Sequence, residues 1–214
     1  MTTTDAVAEA RARFEAAAEA HLTGPLVDGV RLQRVDAAAW ARAHEGLWAQ
    51  ASERTHGLDL GALATDDERR AIAGLDAVLA DELEHRVVLR AGDDVIGAYW
   101  GRQESFGRYY MVFTVVHPAW QRRGVYRALL ARVMAAAAAS GFREVYSRHR
   151  ADNNAVLVPK LKAGFVIAGF EIAPRYGVLV HLRWYPGEAM RQAFEYRVDG
   201  AHAPALRARG LDVP

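Results

Sequence analysis

Between Tyr109 and Ala137 the apolar positions change period. Tyr109 to Val116 is aromatic and β-branched, which predicts a buried or half-buried strand. Pro118 cannot extend a ladder, and from Val125 onward Val125, Leu129, Leu130, Val133, Met134 and Ala137 recur on one face of a helix. Residues 117–124 therefore form a loop at a helix N-terminus. Upstream, residues 4 to 22 predict an alanine-rich helix packing through Val7, Phe14 and Leu22, stopped by Thr23-Gly24-Pro25. Val30 to Val35 alternates as a strand, and Asp36 caps a helix from Ala37 to His56 with Trp40, Ala43, Leu47 and Trp48 as its stripe. Thr65-Asp66-Asp67-Glu68 reads as a capping box for a helix reaching Glu84.

Arg86 to Arg90 and Val95 to Arg102 flank Gly92-Asp93-Asp94 as a hairpin, and Glu104 to Arg108 turns into the central strand. After the long helix, Gly141 supplies a C-cap and Glu144 to Arg148 a short strand. A single crossover helix makes that strand parallel to the one ending at Val116. The next helix begins at Asp152-Asn153-Asn154 and ends at Gly164, with Pro159 delaying its regular part to about Leu157. Phe165 to Ile172 and Tyr176 to Tyr185 form a closing hairpin, Gly187 to Tyr196 a last helix, and the chain past Asp199 a loosely held tail.

The loop at the centre has the chemistry of an anion seat. A helix start carries unpaired NH groups and roughly half a positive charge, and Arg122, Arg123 and Arg127 add full charges. Gly124 lets an anion approach the backbone, or lets the chain turn with φ > 0. Together these point to a pyrophosphate. The bland alternative is a basic strand-to-helix turn on a solvated surface.

Gln121-Arg122-Arg123-Gly124-Val125-Tyr126, preceded by Val-His-Pro and followed by the amphipathic helix, closely resembles the coenzyme A loop of the GNAT superfamily of N-acyltransferases. Tyr126 departs from the usual pattern, which has a small residue at that position. A second resemblance lies in Asn153-Asn154-Ala155-Val156-Leu157-Val158-Pro159-Lys160-Leu161-Lys162-Ala163-Gly164-Phe165, similar to the family's Asn-containing helix ending in Gly-Phe. The two motifs in order are far more specific than either alone, and the resemblance covers roughly residues 30 to 185.

The implied fold is α/β, a GNAT-like mixed, mostly antiparallel central sheet with splayed parallel central strands, flanked by helices. Extra N- and C-terminal helices would occupy 1–24 and 187–214 around an acyltransferase domain at 25–186. The implied co-substrate is acyl-CoA, with acetyl-CoA foremost. Gln121, Arg122, Arg123, Gly124, Val125, Tyr126 and Arg127 would cradle its phosphates, and Val115, Val116 and Asn153 its pantetheine arm.

Composition narrows the setting. The chain has 27 Lys and Arg against 26 Asp and Glu, so its charge is nearly balanced. Neither a nucleic acid nor a membrane surface is an expected partner. With no cysteine there is no disulfide and no acyl-cysteine intermediate, which favours direct transfer to the acceptor. Residues 1–21 lack the apolar core of a signal peptide, so a cytoplasmic protein is expected. The histidines lack paired metal-ligand spacing, and no metal is expected.

The reaction implied by the resemblance is attack by a neutral amine on the thioester of acyl-CoA. The backbone NH of Val116 would hold the developing oxyanion. Glu104, His149 and Tyr146 are candidate bases, each equally readable as ordinary surface or structural residues. Lys160 stands where the family often has a tyrosine acid; it could stabilise the departing thiolate, reach a CoA phosphate or face solvent. Trp40, His44 and Trp48 suit either an acceptor pocket or the core. Two other functions remain open: a non-catalytic acyl-CoA-binding module, and, more remotely, an ATP-binding protein without the lysine-serine ending of a P-loop. The closing hairpin would make a homodimer edge.

Overall fold

A computed structural model describes residues 3–51, 65–66, 83–104 and 107–212. Among them the strands form one sheet of eight, in the order β1-β2-β3-β4-β5-β6-β8-β7. They are β1 (Gly24–Pro25), β2 (Val30–Arg34), β3 (Glu84–Ala91), β4 (Asp94–Gln103), β5 (Arg108–Val116), β6 (Glu144–Arg150), β7 (Val166–Ala173) and β8 (Gly177–Trp184). Every neighbouring pair is antiparallel except β5 and β6. This is the mixed, mostly antiparallel GNAT-like sheet that the two motifs implied.

The helices are α1 (Thr3–His21), α2 (Ala37–Ala51), α3 (Val125–Ala139), α4 (Asn154–Lys162), α5 (Glu188–Asp199) and α6 (Ala203–Ala208). Helix α3 buries Val125, Leu129, Leu130, Val133, Ala136 and Ala137, the face expected from its spacing with Met134 at its margin. Helix α1 shares that core through Phe14 and Ala18, with Leu22 just past its end, while Val7, expected to pack, is exposed. Val7 lies two turns before Phe14 on the same side of the helix, in the first part of α1, where every residue from Thr4 to Arg13 is exposed or only half-buried. Phe14 stacks on His85 at 3.9 Å between ring centroids. Burial, with the Arg34 charge adding to it, pushes the His85 imidazole down to about 3, so it sits in the core as a neutral ring.

Two further expectations are corrected. Helix α4 starts at Asn154, not near Leu157, and carries Pro159 in its interior. The carbonyl that Pro159 deprives of an NH partner is that of Ala155, on the exposed side, where water can replace it. The chain past Asp199 is not a loose tail: α6 anchors it through buried Leu206, and His202 pairs with Glu195 at 2.7 Å. The helix read from Thr65 to Glu84 lies, apart from its first two residues and its last two, outside the described residues, as does the end of the one starting at Ala37.

Two departures from regular pairing shape the sheet. Between β4 and β5, Trp100 pairs Phe113 but Gly101 pairs Met111, so Val112 is an extra residue. Such a bulge shifts the side-chain alternation. Before it, Tyr109 and Met111 face the α1–α3 core; after it, Phe113 and Val115 face α2, with Leu47 and Trp40. Second, β5 and β6 pair only at Arg108–Glu144, Tyr109–Val145 and Tyr110–Tyr146. Beyond Tyr110 and Tyr146 the two strands part.

Gly101 sits at the bulge for want of space. A Cβ there would run into the hydroxyls of Tyr99 and Tyr109, which hydrogen-bond each other at 2.9 Å and continue to His85 Nδ1 at 2.9 Å. Gly101→Ala is expected to cost about 2–3 kcal/mol by displacing these buried rings and opening their bonds. A urea midpoint unchanged from the parent would refute that account.

Candidate active site

The loop after β5 is built to leave NH groups free. His117 Nδ1 accepts from the Ala119 NH at 3.2 Å, fixing a short 3-10 turn at Pro118–Trp120. Gln121 folds back, its Nε2 donating to the Val116 carbonyl at 3.0 Å. Arg122 and Gly124 both take positive φ, +63° and +81°. Only glycine does so without strain, and nothing lies within 4 Å of the position a Gly124 Cβ would occupy. The space in front of Gly124 is open. The first helical bond reaches back from Ala128 to the Gly124 carbonyl, so the NH groups of Val125, Tyr126 and Arg127 point outward unpaired.

The arginines divide. Arg122 and Arg127 are exposed. Arg123 lies over the Trp120 ring at 4.7 Å and 3.5 Å from Asp28, so part of its charge is engaged. Tyr126, the departure from the motif, turns its side chain inward against the core, where burial raises its phenol above the ordinary range. The backbone face of the helix start is left clear.

The gap between β5 and β6 opens beside this loop. His117 donates its NH to Ile96 at 2.8 Å. By antiparallel alternation the peptide groups of Val116, one residue back, turn away from β4 toward the gap. The same alternation commits the peptide groups of Val115 to the ladder with its partner Ala98. The expected backbone contact at Val115 is therefore corrected: Thr114 and Val116 are the residues whose peptides face the gap.

Lys160 lies at the point where the strands part. It is 1% exposed, and its Nζ donates to Ser147 Oγ on β6 at 2.7 Å and to Met111 Sδ on β5 at 3.3 Å. Its ammonium also sits 4.8 Å from the Phe165 ring centroid. Neither hydrogen-bond acceptor is a carboxylate, and burial pushes Lys160 down to about 7. It is neither a solvated lysine nor one reaching for a phosphate.

The other candidates are placed as follows. His149, half-buried and two residues beyond Ser147, shares its face. Burial and the Lys160 charge push its imidazole down to about 2, and its Nε2 has no hydrogen-bond partner among the described residues. A ring so hard to protonate is a poor base, but an orphaned buried nitrogen fits an amide-bearing ligand. Glu104 pairs with Arg108 at 3.1 Å, ahead of β5 at the closed end of the gap. Asn153 is the N-cap residue of α4 and makes no side-chain capping bond, which leaves its amide available. Trp40 is anchored through Nε1 to the Tyr99 carbonyl at 2.8 Å. With His44 and Trp48 it packs around Phe113 on the α2 side of the gap.

A family model described as the acetyltransferase (GNAT) family matches residues 38–165. The chain belongs to that family. Among solved structures it is similar to an N-acetyltransferase from Staphylococcus aureus Mu50, with 19% identity over 75% of this chain and 100% of that one at a TM-score of 0.55. It is also similar to Mycobacterium smegmatis RimJ in complex with CoA-disulfide, with 17% identity over 83% and 94% of the two chains and a TM-score of 0.55. A third, RimL, a ribosomal L7/L12 α-N-protein acetyltransferase in complex with coenzyme A, gives 14%, 76%, 97% and 0.57. No curated protein sequence matches significantly.

Tyr126 and Lys160 are the two positions at which the chain departs from the family motifs it resembles. The described residues hold no group of three or more His, Cys, Asp or Glu arranged to take a metal ion. None of their helices is long and apolar enough to cross a membrane. Sequence reading missed Ser147 and Met111, the acceptors of Lys160, and also Glu171 and His181. No local signal marks these four, because each is brought into place by a residue on another element.

Proposed function

We propose that this GNAT enzyme transfers an acetyl group from acetyl-CoA directly to an amine. The observation that carries the reading is the gap opening beyond Tyr110 and Tyr146, with the bare NH groups of Val125 to Arg127 at its mouth and Lys160 at its apex. The helix start and Arg122 would bind the pyrophosphate. Asn153 and the orphaned His149 nitrogen would bond the pantetheine amides, and the Val116 NH would meet the carbonyl oxygen as it gains charge. Lys160 would hold the departing thiolate; a thiol is acidic enough that a neighbouring ammonium eases its loss. Glu104 remains a candidate on the acceptor side. The outer edge of β7, with Phe170 and Ile172 exposed, supports pairing with a second copy of the chain.

Calorimetric titration with acetyl-CoA, with ATP as control, tests the binding half. Screening primary amines for release of free CoA tests the transfer half. Binding without turnover on any amine would favour the alternative of an acyl-CoA-binding module. No binding of acetyl-CoA at millimolar concentration would sink both.

A further inference from the structure

The most organised polar cluster outside these residues lies on the opposite face of the same gap. Tyr146 and Ser147 are consecutive on β6 and so point to opposite faces of the sheet. Ser147 holds Lys160 on the α1–α3 side; Tyr146 faces the other side, its ring 5.3 Å from that of Tyr110. The Tyr146 hydroxyl lies 3.4 Å from His181 Nδ1 on β8, and His181 Nε2 lies 2.9 Å from Glu171 Oε2 on β7. Arg148, paired across from His181, donates to the same carboxylate oxygen at 3.1 Å and to the Tyr110 hydroxyl at 3.3 Å.

The protonation of this chain of groups follows from its ends. An ionised carboxylate only accepts, so His181 donates to it from Nε2, and in the tautomer with that one hydrogen Nδ1 turns a lone pair toward the phenol. The bonds from His181 and Arg148 hold the Glu171 carboxyl below its ordinary range and hence ionised. The result is a phenol, an imidazole and a carboxylate in series, beginning at the last paired residue before the strands part. A 3.4 Å bond is long, but bonds of this kind tighten when substrate closes the site.

We propose that Tyr146, His181 and Glu171 form the proton relay that frees the acceptor amine, on the face opposite Lys160. The assignment rests on the acetyl-transfer reading above. An alkylammonium gives one N–H proton to Tyr146 Oη as the phenol passes its own proton to His181 Nδ1; the imidazolium so formed is held by Glu171. The freed lone pair bonds to the thioester carbon, and the C–S bond breaks with its electron pair going to sulfur. The sulfur, held against Lys160 Nζ, takes the second proton that nitrogen sheds, and His181 later loses its proton to solvent. Tyr146 is the catalytic residue; His181 and Glu171 act through it.

The test compares two amines with acetyl-CoA: 2-phenylethylamine, which is protonated at neutral pH, and hydroxylamine, which is not. His181→Gln and Tyr146→Phe should each lower kcat/KM for 2-phenylethylamine by about 100-fold at pH 7. Both should keep hydroxylamine acetylation within about threefold, keep KM for acetyl-CoA, and recover as pH approaches the amine's own pKa. Glu171→Gln should give a smaller loss of the same pattern. Equal losses on both amines would mean a structural role and overturn the relay, as would an unchanged pH profile. A wild-type protein that binds acetyl-CoA but accelerates neither amine would overturn the transfer reading, and the relay with it.

Discussion

Gly124→Glu is expected to weaken acetyl-CoA binding by about 10,000-fold while leaving the fold intact. Two terms add. A side chain at φ +81° carries a left-handed strain of about 1–2 kcal/mol, and the new carboxylate stands where the pyrophosphate would lie. Two like charges about 4 Å apart at a protein surface repel by about 4 kcal/mol. Because no protein atom lies within 4 Å of the Cβ position, the substitution meets no clash in the free protein and strains only the loop. Gly124→Ala separates the terms: it carries the strain without the charge and should lose about tenfold. Isothermal titration of both variants with acetyl-CoA, beside thermal melts, reads the outcome. A Gly124→Glu protein that melts like the parent and binds like it would show that the loop is only a surface turn.

The loop was legible in the sequence because its chemistry is local. A strand signal, Pro118, three arginines, Gly124 and a helical period follow one another within about thirty residues, and each constrains the backbone where it stands. The helix face of α3 was legible for the same reason. What could not be read depends on pairing between distant segments. Val112 is the extra residue of a bulge opposite Trp100 and Gly101, where a side chain at 101 would run into the hydroxyls of Tyr99 and Tyr109. That one extra residue decides which side chains of β5 face α2, so no count of alternation along residues 109–116 alone would give it. Pairing with β4 likewise sets the peptides of Thr114 and Val116, rather than those of Val115, toward the gap.

The catalytic candidates show the limit more sharply. Glu104 and His149 were plausible by nearness to strand ends, yet one is paired with Arg108 and the other is a half-buried ring that burial and the Lys160 charge make hard to protonate. Tyr146 was also named, but its partners His181 and Glu171 lie more than twenty residues on, in strands whose order in the sheet is the reverse of their order in the chain. Lys160 was visible as a departure from the family pattern. Its burial was not, since a lysine in a short helix ordinarily faces water.

Lys160→Met is expected to stabilise the protein and to slow it, both by large factors. Lys160 is buried with a serine, a thioether and an aromatic ring, and with no carboxylate among the described residues, as its contacts. Holding it at about 7 rather than at the ordinary lysine value costs the folded state on the order of 4 kcal/mol at neutral pH. Methionine has similar length, no charge and suitable neighbours in Met111 and Phe165. It leaves Ser147 Oγ without its donor, a loss of about 1 kcal/mol or more, so the net gain should be on the order of 2 kcal/mol.

The pH dependence has a definite sign. Between the folded value near 7 and the higher unfolded value, the unfolded chain binds the proton that the folded chain has released. Wild-type stability therefore rises with pH across that window. The advantage of the methionine variant should narrow by roughly 2 kcal/mol between pH 7 and pH 9, because the cost it removes is itself fading. Turnover should fall by about 100-fold with acetyl-CoA affinity nearly unchanged, since the thiolate loses its counter-charge but the phosphate seat is untouched. Paired urea melts at the two pH values and steady-state kinetics measure all three effects. A variant that is less stable at pH 7, or that keeps full kcat, would show that this lysine is held at the apex of the gap for neither charge nor chemistry.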